Sequence, residues 1–145
     1  MPQTESLQVW FKASQFQISS GEDEETNPLC YGKALATWLR GKLIALGYAV
    51  EEVIPEDWGW CVMCQRKPFM LWVGCSNIHG YVQSRPEEPP PRGDEVVWSC
   101  IVVAEVPLLG RLFKRPDTNA ATSRLFAQVE QVLGSEPDVV FVEEP

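Results

Sequence analysis

The chain predicts an α+β fold, a two-layer sandwich in which two amphipathic helices pack on one face of a mostly antiparallel sheet, in the order β-α-β-β-β-β-α-β. Three observations predict it. Two long stretches carry apolar residues at helical spacing, and each runs into a glycine. Between them lie short apolar segments separated by Pro55-Glu56-Asp57 and Arg66-Lys67-Pro68, spacings that suit antiparallel hairpins. The size, 145 residues with 45% hydrophobic content, fits a single domain over 1–145 that buries most of its apolar surface.

The first strand is expected over Val9 to Ile18, where Val9, Phe11 and Ala13 share one face and Phe16 and Ile18 resume after a bulge-like shift of register. The polar, acidic loop Ser19 to Thr26 follows. Asn27-Pro28 then supplies an N-cap and a proline at the first helical position. The helix is expected from about Pro28 to Leu46, with Tyr31, Leu35, Leu39, Leu43 and Leu46 in one stripe and Gly47 as the C-terminal cap. Three strands come next, Tyr48 to Ile54, Trp58 to Gln65 and Phe69 to Cys75. The second places Trp58, Trp60, Val62 and Cys64 on one face and Cys61 and Met63 on the other, while the third divides Phe69, Leu71, Val73 and Cys75 from Met70 and Trp72. Apolar residues on both faces imply that something covers the face away from the helices: another helix, a long loop or another chain.

A flexible Pro-rich loop is expected near 83–94, around Glu87-Glu88-Pro89-Pro90-Pro91, with Tyr81 and Val82 as a short strand beside it. Arg92-Gly93-Asp94 reads as a turn. A long strand from Glu95 to Val106, dense in β-branched residues and stopped by Pro107, should lie centrally in the sheet. Leu108 to Pro116 holds the basic cluster Arg111, Lys114 and Arg115 in an expected loop. The last helix, from Thr118 or Asn119 to Leu133, should bury Ala121, Leu125, Val129 and Val132, with Phe126 and Leu133 at its edge and Gly134 as cap; Val139 to Val142 closes the sheet.

Twenty acidic residues against 12 basic ones give a net charge of −8. That balance disfavours nucleic acid and anionic membranes as partners and favours a cationic one. No opening segment has the charged start and apolar run of a signal peptide, and no window approaches about 18 uninterrupted apolar residues, so a cytoplasmic protein is expected. Cys30, Cys61, Cys64, Cys75 and Cys100 scatter through expected helix and strands, which suits reduced, buried thiols rather than a disulfide framework. Cys61 and Cys64 have metal-like spacing, but a structural zinc site needs four ligands and residues three apart on a strand point to opposite faces. No metal or cofactor is expected. His79, the single histidine, follows Cys75 by four residues, yet a Cys-His pair here lacks a third, orienting group. There is no phosphate-cradling glycine loop, Walker lysine or dinucleotide fingerprint, so no catalytic residue is assigned and the chain is read as non-enzymatic.

Pro55-Glu56-Asp57-Trp58-Gly59-Trp60 sets two carboxylates and two indoles around one glycine. Such a turn can hold a ligand or a partner's basic side chain, and it can equally close a core. The block Asn27-Pro28-Leu29-Cys30-Tyr31-Gly32-Lys33-Ala34-Leu35-Ala36-Thr37-Trp38-Leu39, together with that later turn, resembles a pattern in small uncharacterised bacterial proteins. Some similar small acidic proteins are immunity partners in toxin systems, including contact-dependent inhibition. The resemblance covers roughly the middle third of the chain and implies a non-enzymatic, one-domain bacterial protein.

Three readings follow. In the first, an acidic immunity protein neutralises a basic toxin domain, with Asp23, Glu24, Glu25, Glu56, Asp57 and Trp58 as the binding residues. The second is a self-associating module, a homodimer that covers its apolar sheet through Trp60, Trp72 and Trp98. The third is a small hydrolase or sugar-binding protein that uses the Glu56 to Trp60 turn, with Glu56 and Asp57 as a carboxylate pair and Trp58 and Trp60 stacking on a sugar ring.

Overall fold

Apolar runs with a two-residue period form a six-stranded sheet. The strands are β1 (Thr4–Lys12), β2 (Ile54–Glu56), β3 (Gly59–Gln65), β4 (Met70–Asn77), β5 (Trp98–Glu105) and β6 (Val140–Val142), and the helices are α1 (Lys33–Ala45) and α2 (Asn119–Gly134). The structure is a computed structural model and describes residues 4–78, 87–107 and 117–145. Spatial order is β2-β3-β4-β5-β1-β6, and every neighbouring pair is antiparallel. The sequence order β-α-β-β-β-β-α-β, the antiparallel sheet and the internal position of the β-branched strand β5 are as expected.

One sheet face meets the helices. Phe11, Trp60, Val62, Val73, Trp98 and Val102 face Leu35, Leu39 and Leu43 of α1 and Leu125, Val129 and Leu133 of α2, all within one apolar cluster. Removing each of these helix leucines from water contributes about 1.5–3 kcal/mol, enough to fix both helices on that face. Phe16, beyond the end of β1, folds back into the cluster edge-on to Phe11 and Trp38, with ring centroids 6.2 and 5.2 Å apart.

Several boundaries differ from expectation. β1 stops at Lys12, so Ala13 to Ile18 is a loop whose Phe16 is buried by tertiary packing rather than by strand pairing. α1 begins at Lys33, not Pro28: Leu29 has φ 70° and Gly32 φ 142°, which take the chain out of helical geometry. Leu46 lies past the helix and is exposed, while Gly47, with φ 103°, stands at the expected C-terminal position. The Tyr48 to Ile54 segment is mostly irregular: only Ile54 joins the ladder, Glu51 N makes a separate bond to Met63 O at 3.3 Å, and Arg40 Nε donates to Glu51 O at 2.8 Å. In α2 the buried stripe is Thr122, Leu125, Val129 and Leu133; Ala121 and Val132 form its edge, and Gly134 is the last helical residue rather than the cap.

Part of the Pro-rich loop is pinned. Gly93–Glu95 forms a 3-10 turn, Arg92 N donates to Glu95 Oε1 at 2.8 Å, and buried Trp98 Nε1 donates to Gly93 O at 3.3 Å. The remainder of that loop up to residue 86, with His79, Tyr81 and Val82, and the basic cluster Arg111, Lys114 and Arg115 lie outside the described residues. Among the described residues no helix is long and apolar enough to cross a membrane.

Candidate functional site

The face of the sheet turned away from the helices carries the feature that composition alone does not demand. Glu56 and Gly59 pair across a two-residue turn made of Asp57 and Trp58. Gly59 has φ 151°, and a β-carbon there would stand 2.5 Å from Cys75 O, so only glycine closes this hairpin against β4. Trp58, as a turn residue, escapes the strand alternation that was expected to place it beside Trp60. Its ring instead lies over Gly74 on the outer face, where a β-carbon at position 74 would meet Trp58 Cζ3 at 2.9 Å. There it stacks on Trp72, with centroids 5.3 Å apart and planes inclined by 23°. Trp72 Nε1 donates to Glu105 Oε1 at 3.0 Å, which fixes the lower ring.

Around this stack is a depression of about 350 Å³, lined by Glu56, Trp58, Cys61, Met63, Trp72 and Glu105 among others. Trp58 remains 40% exposed at its rim. Arg66 also reaches the depression, but its charge is matched: Nε and Nη2 donate to the two Glu51 carboxylate oxygens at 2.5 and 2.9 Å. That pair of hydrogen bonds holds the Glu51 carboxyl below its ordinary range. The Cys61 thiol is pushed up to about 12, first by burial and then by the nearby Glu56 carboxylate. A thiol so raised is protonated near neutral pH. Cys64 is likewise raised to about 12 by burial, and it lies in the core on the other side of the sheet from Cys61.

The acidic loop has an internal role that local sequence does not show. Glu22, which was not singled out, is buried; its Oε1 accepts from Ser19 N at 3.0 Å and its Oε2 from Gly32 N and Lys33 N at 3.0 and 3.1 Å. A carboxylate supplied from ten residues upstream thus satisfies the free N–H groups at the start of α1, where Asn27 was expected to act locally. Asp23 Oδ2 accepts from Leu29 N at 2.9 Å, and Glu25 pairs with Lys33 at 3.1 Å. Asp23 and Glu25 therefore carry internal contacts; Asp23 is half-buried, while Glu24 and Glu25 are both exposed. Asn27 Nδ2 donates to Asp57 O at 3.1 Å and ties this loop to the tryptophan turn. A second depression, about 640 Å³, lies beside Asp23, Glu24, Tyr31 and Glu88. Among the described residues no three His, Cys, Asp or Glu side chains converge as a metal site would require.

Two of the three tryptophans expected at a self-association surface are core residues. Trp60 and Trp98 are each 1% exposed and sit under the helices, so neither is available to a second copy; Trp72 alone is on the outer face. Trp60 is covered by α1, whose Lys33 Nζ lies 5.1 Å from its ring centroid. For the same reason Trp58 and Trp60 cannot clamp one sugar ring: the sheet separates them. Glu105 and Met63 were missed because they lie on strands distant in sequence from the turn, although a glycine inside an apolar strand, Gly74, is itself a sign of close approach by another group. Comparison with protein-family models, curated proteins and solved structures finds no match, so the geometry of this face is what bears on function.

Proposed function

We propose that the chain is a non-enzymatic binding protein for a basic protein partner, and that the outer sheet face around Trp58 is the surface it offers. The observation that carries this reading is the 40% exposed indole of Trp58, laid on Trp72 beside a depression that Glu56 and Glu105 also line. An aromatic side chain already ordered by a second ring loses little freedom on binding and is the residue type that anchors interfaces. The net charge of −8 supports a basic partner, since like charges repel wrong partners and opposite charges speed encounter. Glu24, Glu56 and Asp57 act in this reading as the outward acids, with Asp23 and Glu25 holding the loop beneath them. In its most concrete form the partner is a basic toxin domain that the chain neutralises, a form supported by the resemblance of the Asn27 to Leu39 and Pro55 to Trp60 blocks.

The test immobilises the purified chain and its Trp58→Ala variant and exposes both to lysate of the source cell at low and moderate salt. A stoichiometric basic protein, retained by the wild type, weakened by salt and lost from the variant, is the expected result. Retention that ignores Trp58→Ala, or that is confined to acidic proteins, overturns the reading.

A further inference from the structure

We propose that the depression beside Trp58 is a receptor for an arginine side chain, which lays its guanidinium flat on the exposed indole while Glu56 and Glu105 supply the negative rim. This rests on the reading of the chain as a binder of a basic partner and narrows it to one recognised group.

Shape is the first argument. Trp58 and Trp72 form a nearly parallel stack, so the ring left facing solvent is a flat, electron-rich plate of the kind a planar cation covers. The plate is prepared before any partner arrives, because Trp72 is held through its Nε1 by Glu105 and Trp58 is seated in the space that Gly74 leaves. Little ordering is left for binding to impose.

Charge is the second. Glu56 forms no ion pair with any described residue, and Glu105 has one oxygen on Trp72 Nε1 and the other without a partner among the described residues. The cation that lines the same depression, Arg66, is already matched by two hydrogen bonds to Glu51. The depression therefore carries negative charge in excess, and its complement is a positive group from outside.

The floor decides which positive group. Buried Cys61 and Met63 offer sulfur and hydrocarbon rather than hydroxyl or carbonyl oxygens. A lysine ammonium is strongly hydrated and would find too few oxygens to replace its water. A guanidinium is more weakly hydrated, stacks on aromatic faces and directs its donors outward in its own plane toward carboxylates at the edge.

The experiment follows the indole N–H signals of the ¹⁵N-labelled full chain during titration with Nα-acetyl-arginine amide, its lysine analogue and its uncharged citrulline analogue. Selective shifts of the Trp58 and Trp72 signals by the arginine compound are expected, with a dissociation constant on the order of 1–10 mM, as suits a single side chain. The lysine compound should bind at least roughly threefold more weakly and citrulline should give no response. Trp58→Ala should abolish the response, Trp58→Phe should restore part of it, and Glu105→Gln, which keeps an acceptor for Trp72 but removes the charge, should weaken it. The remaining signals report whether each variant is folded. Equal responses to all three compounds, or a full arginine response in Trp58→Ala, overturn the proposal. Its failure is separable from that of the broader reading: a basic partner that depends on Trp58 while arginine amide gives no response removes this inference alone.

Discussion

Trp58 occupies the space that a side chain at position 74 would fill. A β-carbon on Gly74 would stand 2.9 Å from Trp58 Cζ3 and 3.0 Å from Ile101 Cγ2, so the glycine in the middle of β4 is the seat of the exposed indole. Gly74→Ala should therefore lift Trp58 off the sheet. The ring can swing into water but Ile101 must also give way, so stability should fall by about 1–3 kcal/mol. The arginine response and partner retention should fall as far as in Trp58→Ala. Urea denaturation together with the amide titration checks both parts, and a variant that binds normally refutes the seating role.

Glu22→Ala should be the most damaging single change in the acidic loop. It leaves the N–H groups of Gly32 and Lys33 buried or half-buried without their carboxylate. Stability should drop by about 2–3 kcal/mol, the range for losing an ionised acceptor to buried donors. Glu24→Ala, by contrast, should leave stability within about 0.5 kcal/mol of wild type. Parallel denaturant midpoints decide whether the loop is a helix cap, as the structure has it.

Asp138 couples stability to pH. Ser14 Oγ donates to its Oδ1 at 2.6 Å and Gln15 N to its Oδ2 at 2.8 Å, and these bonds, led by the one from Ser14, lower its pKa from the ordinary 3.8. A depressed folded-state pKa stabilises the fold fully above the ordinary value, and that stabilisation is lost as pH falls through the depressed one. Solvent screens this surface contact, so its size should be about 0.5 kcal/mol or less. Asp138→Asn should be less stable than wild type at pH 7 and indistinguishable from it at strongly acidic pH, as read from denaturation midpoints across that window.

All five thiols should resist labelling in the folded protein. Every cysteine is buried, Cys61 and Cys64 are pushed up to about 12, and Cys75 is raised well above the ordinary thiol value by its neighbour Cys100, 4.0 Å away sulfur to sulfur. A disulfide-exchange reagent at pH 8 should therefore release almost no chromophore until denaturant is added, and then the full complement of five. Rapid reaction of even one thiol in the native state would show that a buried strand opens readily.

The fold was legible because burial writes itself into local periodicity. Leu35, Leu39 and Leu43 at helical spacing, and Trp60, Val62 and Val73 alternating in strands, are apolar for the reason that the core is dry. What local pattern could not reveal is where long-range partners intervene. The Pro28 start of α1 gave way to Glu22, whose carboxylate arrives from outside the helix, and the Asn27 cap was displaced with it. Trp58 lies on the face opposite to the one strand alternation predicts, because a two-residue turn interrupts the alternation that the strands on either side obey. The proposed face is half legible in the sequence: the turn stands out, but Trp72, Glu105 and Gly74 join it only through sheet pairing.

The two short outer strands have a further consequence, which concerns how the protein keeps company with its own copies. β2 and β6 are three residues long each, so the outermost strands themselves offer few free backbone groups to a second chain. Pro55 removes a donor from one rim, and Glu143-Glu144-Pro145 follows the other directly after Val142. Val140, 60% exposed, and its neighbour Phe141 would otherwise template strand addition. Shortness, proline and negative charge each work against strand addition at these two outer strands.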